Sequence, residues 1–420
     1  MSTESRWLVL AVSLQSLGSG LTSPFLMIYL HEVRHIALGT AGLLVMMIGI
    51  AGLAVTIPCG YLIDRLGAWQ VLVGGTVAMS ASAVILAFAS TPWAAALAFA
   101  LAGLNLGVSQ PAKNVLVALT TTGRRRRTMY ALNFALLNLS WGLGGVVGGL
   151  YLDVRDARTF VAIFLFDAAL MIAAAAVLVG PLRGLRRSRS PSSDGAGGRS
   201  FLSVLLSPGM MRFCLLTFLV TFIGYGQLES GIPVFARQVS EISTRAVGLA
   251  FSVNTLLIGT LQFWVLRRID GHRRTRAIAV FGLVWAGAWA VLAATGTGPR
   301  TGWPELGFLL FVVAFAFGEM IMLPLLPVMT NDLASDQNRG RFNAFQSGAF
   351  QAGGIIGPAV AGFVLQHELN ALYISLMTGG CLTVILVALT WERTIDPQVN
   401  GIEPESGHAP SASAGYASRR

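Results

Sequence analysis

Long apolar stretches, broken by short polar turns that carry arginine, run almost the whole length of this chain. Twelve of them are long enough to cross a bilayer, at approximately 7–30, 40–61, 70–90, 93–119, 129–152, 159–180, 209–236, 245–266, 277–295, 304–330, 342–365 and 370–391. About 20 mostly apolar residues span ~30 Å of hydrocarbon as a helix. In that solvent every backbone N–H and C=O needs an internal partner, which leaves helices or closed barrels, and runs of this length predict helices. The first stretch has no small-residue cleavage site after it and reads as a first transmembrane helix, not a removable signal. The pattern predicts an all-α integral membrane protein of twelve transmembrane helices. The longest interior break, Arg183 to Ser200, is rich in Arg, Ser and Gly and reads as a flexible linker. It divides the chain into a half over 1–180, a linker over 181–207, a second half over 208–393 and a Pro/Ser/Gly-rich tail over 394–420 predicted to be disordered.

Composition removes the alternatives. Hydrophobic residues make up 54% and charged residues 11% of 420 positions, and the mean hydropathy is +0.68. A soluble domain carries roughly 25% charge, so a soluble enzyme, a disordered chain and a secreted disulfide scaffold are excluded. Cys59, Cys214 and Cys381 all lie inside apolar stretches and imply no disulfide framework. His31 and His35 have i,i+4 spacing but no further ligand nearby, so no metal site is expected. There is no nucleophile–base set and no nucleotide-binding loop, so neither catalysis nor a cofactor is expected.

The net charge of +10 lies in short runs between apolar segments, which does not suit nucleic acid. With the N-terminus inside, the cytoplasmic segments hold 22 arginines and the external loops six. That asymmetry predicts a multi-pass cell-membrane protein with both termini cytoplasmic. No obligate protein partner is implied.

The halves are related by an ungapped shift of 213 residues. It places Pro111 on Pro324, Arg126 on Arg339, Ala131 on Ala344, Gly144 on Gly357 and Gly149 on Gly362, while Gly145 falls on Pro358. Repeats arranged around a central site are a transporter plan.

The loop after the second stretch reads Gly60-Tyr61-Leu62-Ile63-Asp64-Arg65-Leu66-Gly67. It resembles the G-x-x-x-D-R-x-G signature of the major facilitator superfamily, with Ala68 and Trp69 where a basic pair usually follows. The resemblance implies two pseudo-symmetric six-helix bundles. It also implies that Asp64 and Arg65 latch the cytoplasmic side against the N-terminus of the eleventh helix, a positive dipole end. The fifth stretch carries Gly142, Gly144, Gly145, Gly148 and Gly149, similar to the superfamily's drug–proton antiporter motif G-P-x-x-G-G, with Gly145 in the proline position. Gly353, Gly357, Pro358 and Gly362 repeat it in the eleventh stretch. Small residues at this spacing let helices approach closely.

Three of the 19 acidic residues fall within spans: Asp167, Glu229 and Glu319. A charge at mid-bilayer costs at least ~2.5–3.5 kcal/mol on insertion scales, so such residues are functional candidates by default. Asp167 falls near the midplane, Glu319 somewhat past it toward the cytoplasm, and Glu229 in the outer third. Lys113 follows Ser109-Gln110-Pro111-Ala112 in the fourth stretch, and Gln15, Gln227, Asn105 and Asn138 are lesser polar candidates. In the superfamily the first, fourth, seventh and tenth helices line the cavity. The resemblance thus implies a substrate and proton path past Glu229, Glu319 and Lys113, as in its multidrug-efflux branch. The expected function is proton-coupled export of small amphipathic or drug-like compounds by alternating access. Two alternatives stay open, a dedicated exporter of one endogenous metabolite and a non-transporting membrane sensor with the same fold.

Overall fold

The computed structural model describes residues 3–120, 123–179, 208–298, 302–333 and 339–402. Its long helices are α1 (Thr3–Val33), α2 (Leu38–Leu66), α3 (Ala68–Phe88), α4 (Pro92–Thr120), α5 (Gly123–Tyr151), α6 (Ala157–Val179), α7 (Pro208–Leu228), α8 (Thr244–Ile269), α9 (Arg274–Thr295), α10 (Trp303–Leu333), α11 (Arg339–Gln366) and α12 (Asn370–Trp391). Eleven of them are apolar and long enough to cross a membrane, and α5, which begins with an arginine run, is the twelfth helix of the same plan. No strand occurs among the described residues. The linker over 181–207 and the tail over 403–420 lie outside them.

Where the sequence predicts two unbroken spans, the structure bends both. Thr22 opens a 3₁₀ turn over Ser23–Phe25 within α1, with Pro24 at its start. Proline lacks an N–H and clashes with the preceding turn, which accounts for the break. α7 widens to a π-helix over Thr221–Tyr225, stops at Glu229 and Ser230, and resumes as Gly231–Gln238. Gly67 has φ +97°, a conformation that favours glycine, and turns the chain from α2 directly into α3. This gives the last signature glycine a backbone role.

α1 packs on α5 and α6, and α3 on α4 and α6, while α9 packs on α10 and α12. Among the described residues the most extensive contacts between the halves are α2 with α11 and α5 with α8. Both lie toward the side remote from the termini, here the distal side. A Cβ on Gly42 would stand 2.4 Å from the Pro358 carbonyl oxygen, and one on Gly149 3.0 Å from Gly248 Cα. The Gly39 N–H also donates to Gln366 Oε1 at 2.7 Å. Toward the terminal side these helices part. Pro58 and Tyr61 on α2, Gly259 and Thr260 on α8, and Ser347 and Gly348 on α11 are exposed, and a Cβ on Gly259 or Gly348 would meet nothing within 4 Å. Among the described residues the halves meet at their distal ends and leave these positions exposed toward the terminal side.

The disorder predicted from residue 394 is corrected at its start. Residues 394–402 fold back as turns onto α9, and Asn400 is 2% exposed. A helix N-terminus leaves backbone N–H groups without partners, and Asn400 satisfies those of α9. Its carbonyl accepts from Arg274 N at 3.0 Å, and its Oδ1 accepts from Thr275 N at 2.9 Å and Thr275 Oγ1 at 3.1 Å. Arg274 also pairs with Asp332 at 2.6 Å. Glu392 lies between Arg273 and Arg276, and the Arg273 hydrogen bond first among the causes holds its carboxyl below the usual carboxylate range. This contribution is present above the ordinary carboxylate pKa and is lost as pH falls through the lowered value. Asn400→Ala leaves the buried Thr275 donors unpaired, a cost of about 1–3 kcal/mol. A lower thermal-unfolding midpoint in detergent is the expected reading.

Candidate functional site

Glu319 lies in the middle of α10 and is 4% exposed. Its position is set by Trp285 of α9, whose indole occupies the space that a Cβ on Gly318 or Gly224 would need. That ring stacks on Phe315 at 4.2 Å between centroids, and its Nε1 donates to the Phe315 carbonyl at 2.9 Å. The π-helical turn of α7 carries Tyr225 to the same place; such turns add a residue to a helix and recur at functional sites. Asn254 Nδ2 of α8 donates to Glu319 Oε2 at 2.7 Å. The Tyr225 hydroxyl faces the carboxylate, buried and short of closed hydrogen-bond geometry. No cationic side chain pairs with Glu319 among the described residues. A carboxyl enclosed this way holds a proton or requires a cation, since a bare buried charge is prohibitive.

Asp167 occupies the interior of the other half and is 1% exposed. Its Oδ1 fills the slot left by Gly18, where a Cβ would stand 2.0 Å away, and has no hydrogen-bond partner. Thr22 of α1 is nearby, and its hydroxyl donates to the Gly18 carbonyl of its own helix at 3.3 Å. Glu229 meets the side chain of Ser23 instead, across the boundary between the halves. Lys113 is half-buried on α4, without a hydrogen-bond or ion-pair partner among the described residues. These four candidates do not converge on one cluster. One acid is enclosed in each half, a third lies on the seam, and the lysine is toward the terminal end of α4.

The glycine motif has two faces. Gly144 and Gly148 pack within their own half, against Leu17, Gly20, Leu21 and Phe25 of α1, while Gly145 and Gly149 face Ser252 and Gly248 of α8 in the other half. The second copy behaves alike: Gly357 contacts Gly226 within its half, and Pro358 meets Gly42 across the seam. The surroundings of Gly60 and the side chain of Asp64 lie outside what the structure describes. Arg65 is exposed and donates to the Tyr61 hydroxyl at 3.1 Å.

Against known proteins, the profile of the Major Facilitator Superfamily matches residues 8–318 and 241–419. The chain belongs to the major facilitator superfamily. A relative named "Na(+), Li(+), K(+)/H(+) antiporter" from Planococcus maritimus is 24% identical over 371 residues, covering 80% of this chain and 83% of that protein. "Multidrug resistance protein MdtH" from Yersinia enterocolitica is 26% identical over 335 residues, covering 78% and 77%. Among solved structures, a POT family transporter in complex with 5-aminolevulinic acid superposes with a TM-score of 0.75 at 13% identity, covering 94% of this chain and 96% of that one. The nucleoside transporter NupG gives 0.73 at 14%, covering 93% and 99%. At these identities the structures establish the shared fold.

Within this major facilitator fold, three features escaped the sequence reading. Asn254 and Tyr225 stand beside Glu319, although a lone Asn and a lone Tyr inside apolar spans are the only linear signals. Trp285 is invisible as a positioning residue until Gly224 and Gly318 are seen against it. The third is an ion pair between the halves at the distal mouth. Arg237 grips Glu32 through two hydrogen bonds of 2.6 and 2.9 Å, and also donates to the Ile242 carbonyl at 2.9 Å. In sequence these are ordinary loop charges. Removing one charge with Glu32→Gln should weaken distal closure by about 1 kcal/mol, a roughly fivefold change in the closed-to-open ratio. Distance measurements between labels on the distal loops read it, and the swapped pair Glu32→Arg with Arg237→Glu should restore closure.

Proposed function

We propose that this chain is a proton-coupled exporter of small amphipathic or drug-like compounds, working by alternating access in the cell membrane. The observation that carries the reading is Glu319: a buried acid on α10, bonded by Asn254 of α8, faced by Tyr225 of α7 and without a cationic partner among the described residues. A group in that setting takes either a proton or a cationic substrate, and one excludes the other, which is the minimum chemistry of exchange. The arginine asymmetry orients the terminal side toward the cytoplasm. The open side is then the one from which an exporter loads. On this reading Asp64 and Arg65 act in the opposite conformation, when the cytoplasmic side closes. The multidrug name among the relatives supports a broad substrate range.

A second reading, exchange of monovalent cations for protons, is favoured by the name of the Planococcus relative. One experiment separates them. Purified protein is reconstituted in vesicles with an imposed pH gradient and offered lipophilic cations, neutral amphiphiles, small metabolites, sodium and potassium in turn. Gradient-driven flux of several lipophilic compounds supports the exporter. Flux confined to sodium and potassium supports the second reading, flux of a single metabolite a dedicated exporter, and no flux at all a non-transporting protein.

A further inference from the structure

In sequence Gln227 reads as a polar contact for substrate within the seventh apolar stretch. In the fold it is 0% exposed, and its polar atoms are engaged inside the second half. Its Nε2 donates to the Phe222 carbonyl at 2.8 Å, and its Oε1 accepts from the Tyr373 hydroxyl of α12 at 3.0 Å. Tyr373 is buried as fully, stacked on Phe235 at 6.0 Å between centroids and edge-on to Trp289 at 5.7 Å. A Cβ on Gly231 would stand 2.1 Å from the Tyr373 hydroxyl and 2.5 Å from Gln227 Oε1, so glycine at the α7 break leaves room for this bond.

The Phe222 carbonyl is the point at which α7 departs from an α-helix. In a regular helix it would accept the Gly226 N–H, four residues on. That N–H goes to the Thr221 carbonyl instead and closes the π turn over Thr221–Tyr225. The Gln227 amide then gives the Phe222 carbonyl a donor from the side. The widened turn brings Tyr225 to Glu319, and the two line one small void with Val220, Trp285 and Met322. Closing the turn to α would shift one side of it by a residue, about 100° around the axis. Either Tyr225 would leave Glu319, or Gly226 would lose its close packing on Gly353 and Gly357 of α11. Tyr225 is the titratable group that faces Glu319 here. Arg245, Arg267 and Arg268 of α8 and Arg274 and Arg276 of α9 stand at the ends of their helices, as do Arg339 and Arg341 of α11.

We propose that Gln227, fixed by Tyr373, is the positioning residue that holds the π turn and so keeps the Tyr225 hydroxyl on Glu319. The proposal rests on the exchange reading of Glu319 and adds a mechanical link to it. Tyr373 fixes the Gln227 amide, the amide fixes the Phe222 carbonyl, and the turn fixes Tyr225.

The test is the pH midpoint of proton release when tetraphenylphosphonium, a lipophilic cation, is added to the full-length protein in detergent. Tyr225→Phe should move that midpoint by roughly half to one pH unit, the worth of one hydrogen bond. Gln227→Met, similar in length but without the amide, should move it in the same sense and by a similar amount. The double variant should move it no further than either single one. Asn400→Ala should lower the thermal midpoint and leave the pH midpoint alone. A Gln227→Met that behaves like Asn400→Ala, or a double variant whose shift is the sum of the two, would overturn the proposal. Where Gln227→Met does not fold, Tyr373→Phe decides, because it keeps the ring and frees only the Gln227 oxygen. It should give a smaller shift in the same sense, and no shift would overturn the proposal. If the parent releases no protons, the exchange reading fails, and an electron cryomicroscopy structure of Gln227→Met judges the positioning by itself. A closed turn with Tyr225 off Glu319 supports it, and an unchanged π turn overturns it.

Discussion

Gly42→Val and Gly149→Val are each expected to abolish transport in protein that still inserts and folds. The reason is the seam between the halves. A Cβ at Gly42 would lie 2.4 Å from the Pro358 carbonyl oxygen and 3.2 Å from Gly362 Cα, and one at Gly149 would lie 3.0 Å from Gly248 Cα and 3.2 Å from the Arg245 carbonyl oxygen. These obstacles are backbone, so no rotamer change relieves them, and two helices must move apart. They belong to opposite halves, so the damage falls on distal closure and not on either bundle. Valine at Gly144, which faces Leu17, Gly20 and Leu21 inside one half, should instead lower the yield of folded protein. Gly259→Val, with nothing within 4 Å of its Cβ, is the neutral control. Flux in vesicles and distal label distances together read the result: lost flux with a lengthened distance. Normal flux in Gly42→Val would mean that the distal seam is not part of the transport cycle.

The sequence carried the architecture because lipid imposes it. Apolar length, the arginine asymmetry and the 213-residue repeat each report a constraint that is local or periodic along the chain. The glycine motif was legible as close packing, but which glycine faces which half was not. That depends on the 100° step between Gly144 and Gly145, which turns one toward α1 and the next toward α8. The three acids within spans stood out because charges are rare there, yet their separation into three environments is a property of tertiary packing. Asn254 reaches Glu319 across 65 residues, and Arg237 reaches Glu32 across 205. No spacing rule encodes such contacts. The tail shows the converse. Its polar composition reads as disorder, but the free donors at the start of α9 give Asn400 a buried position that composition does not reveal.

Glu319→Gln should separate movement of substrate from its accumulation. The exchange replaces one oxygen by an amide nitrogen of nearly the same size, so Trp285, Gly318 and the α10 backbone need not move. The glutamine oxygen can still accept from Asn254 Nδ2, as Glu319 Oε2 does at 2.7 Å. Its amide can donate toward the Tyr225 hydroxyl, which now lacks a closed hydrogen bond. The variant therefore imitates a carboxyl that never releases its proton. If binding of substrate requires that release, a pH gradient can no longer do work on the substrate, and gradient-driven accumulation should fall by at least about tenfold, ~1.4 kcal/mol of lost coupling. Downhill exchange of neutral amphiphiles should persist, because opening and closing of the halves do not depend on this group, while cationic compounds lose the charge that binds them. Proton release on adding substrate to the detergent-solubilised protein should vanish in the variant and be measurable in the parent. If Glu319→Gln accumulates substrate like the parent while Asp167→Asn or Glu229→Gln abolishes accumulation, then the coupling proton sits on one of those acids and Glu319 is a structural acid of the second half.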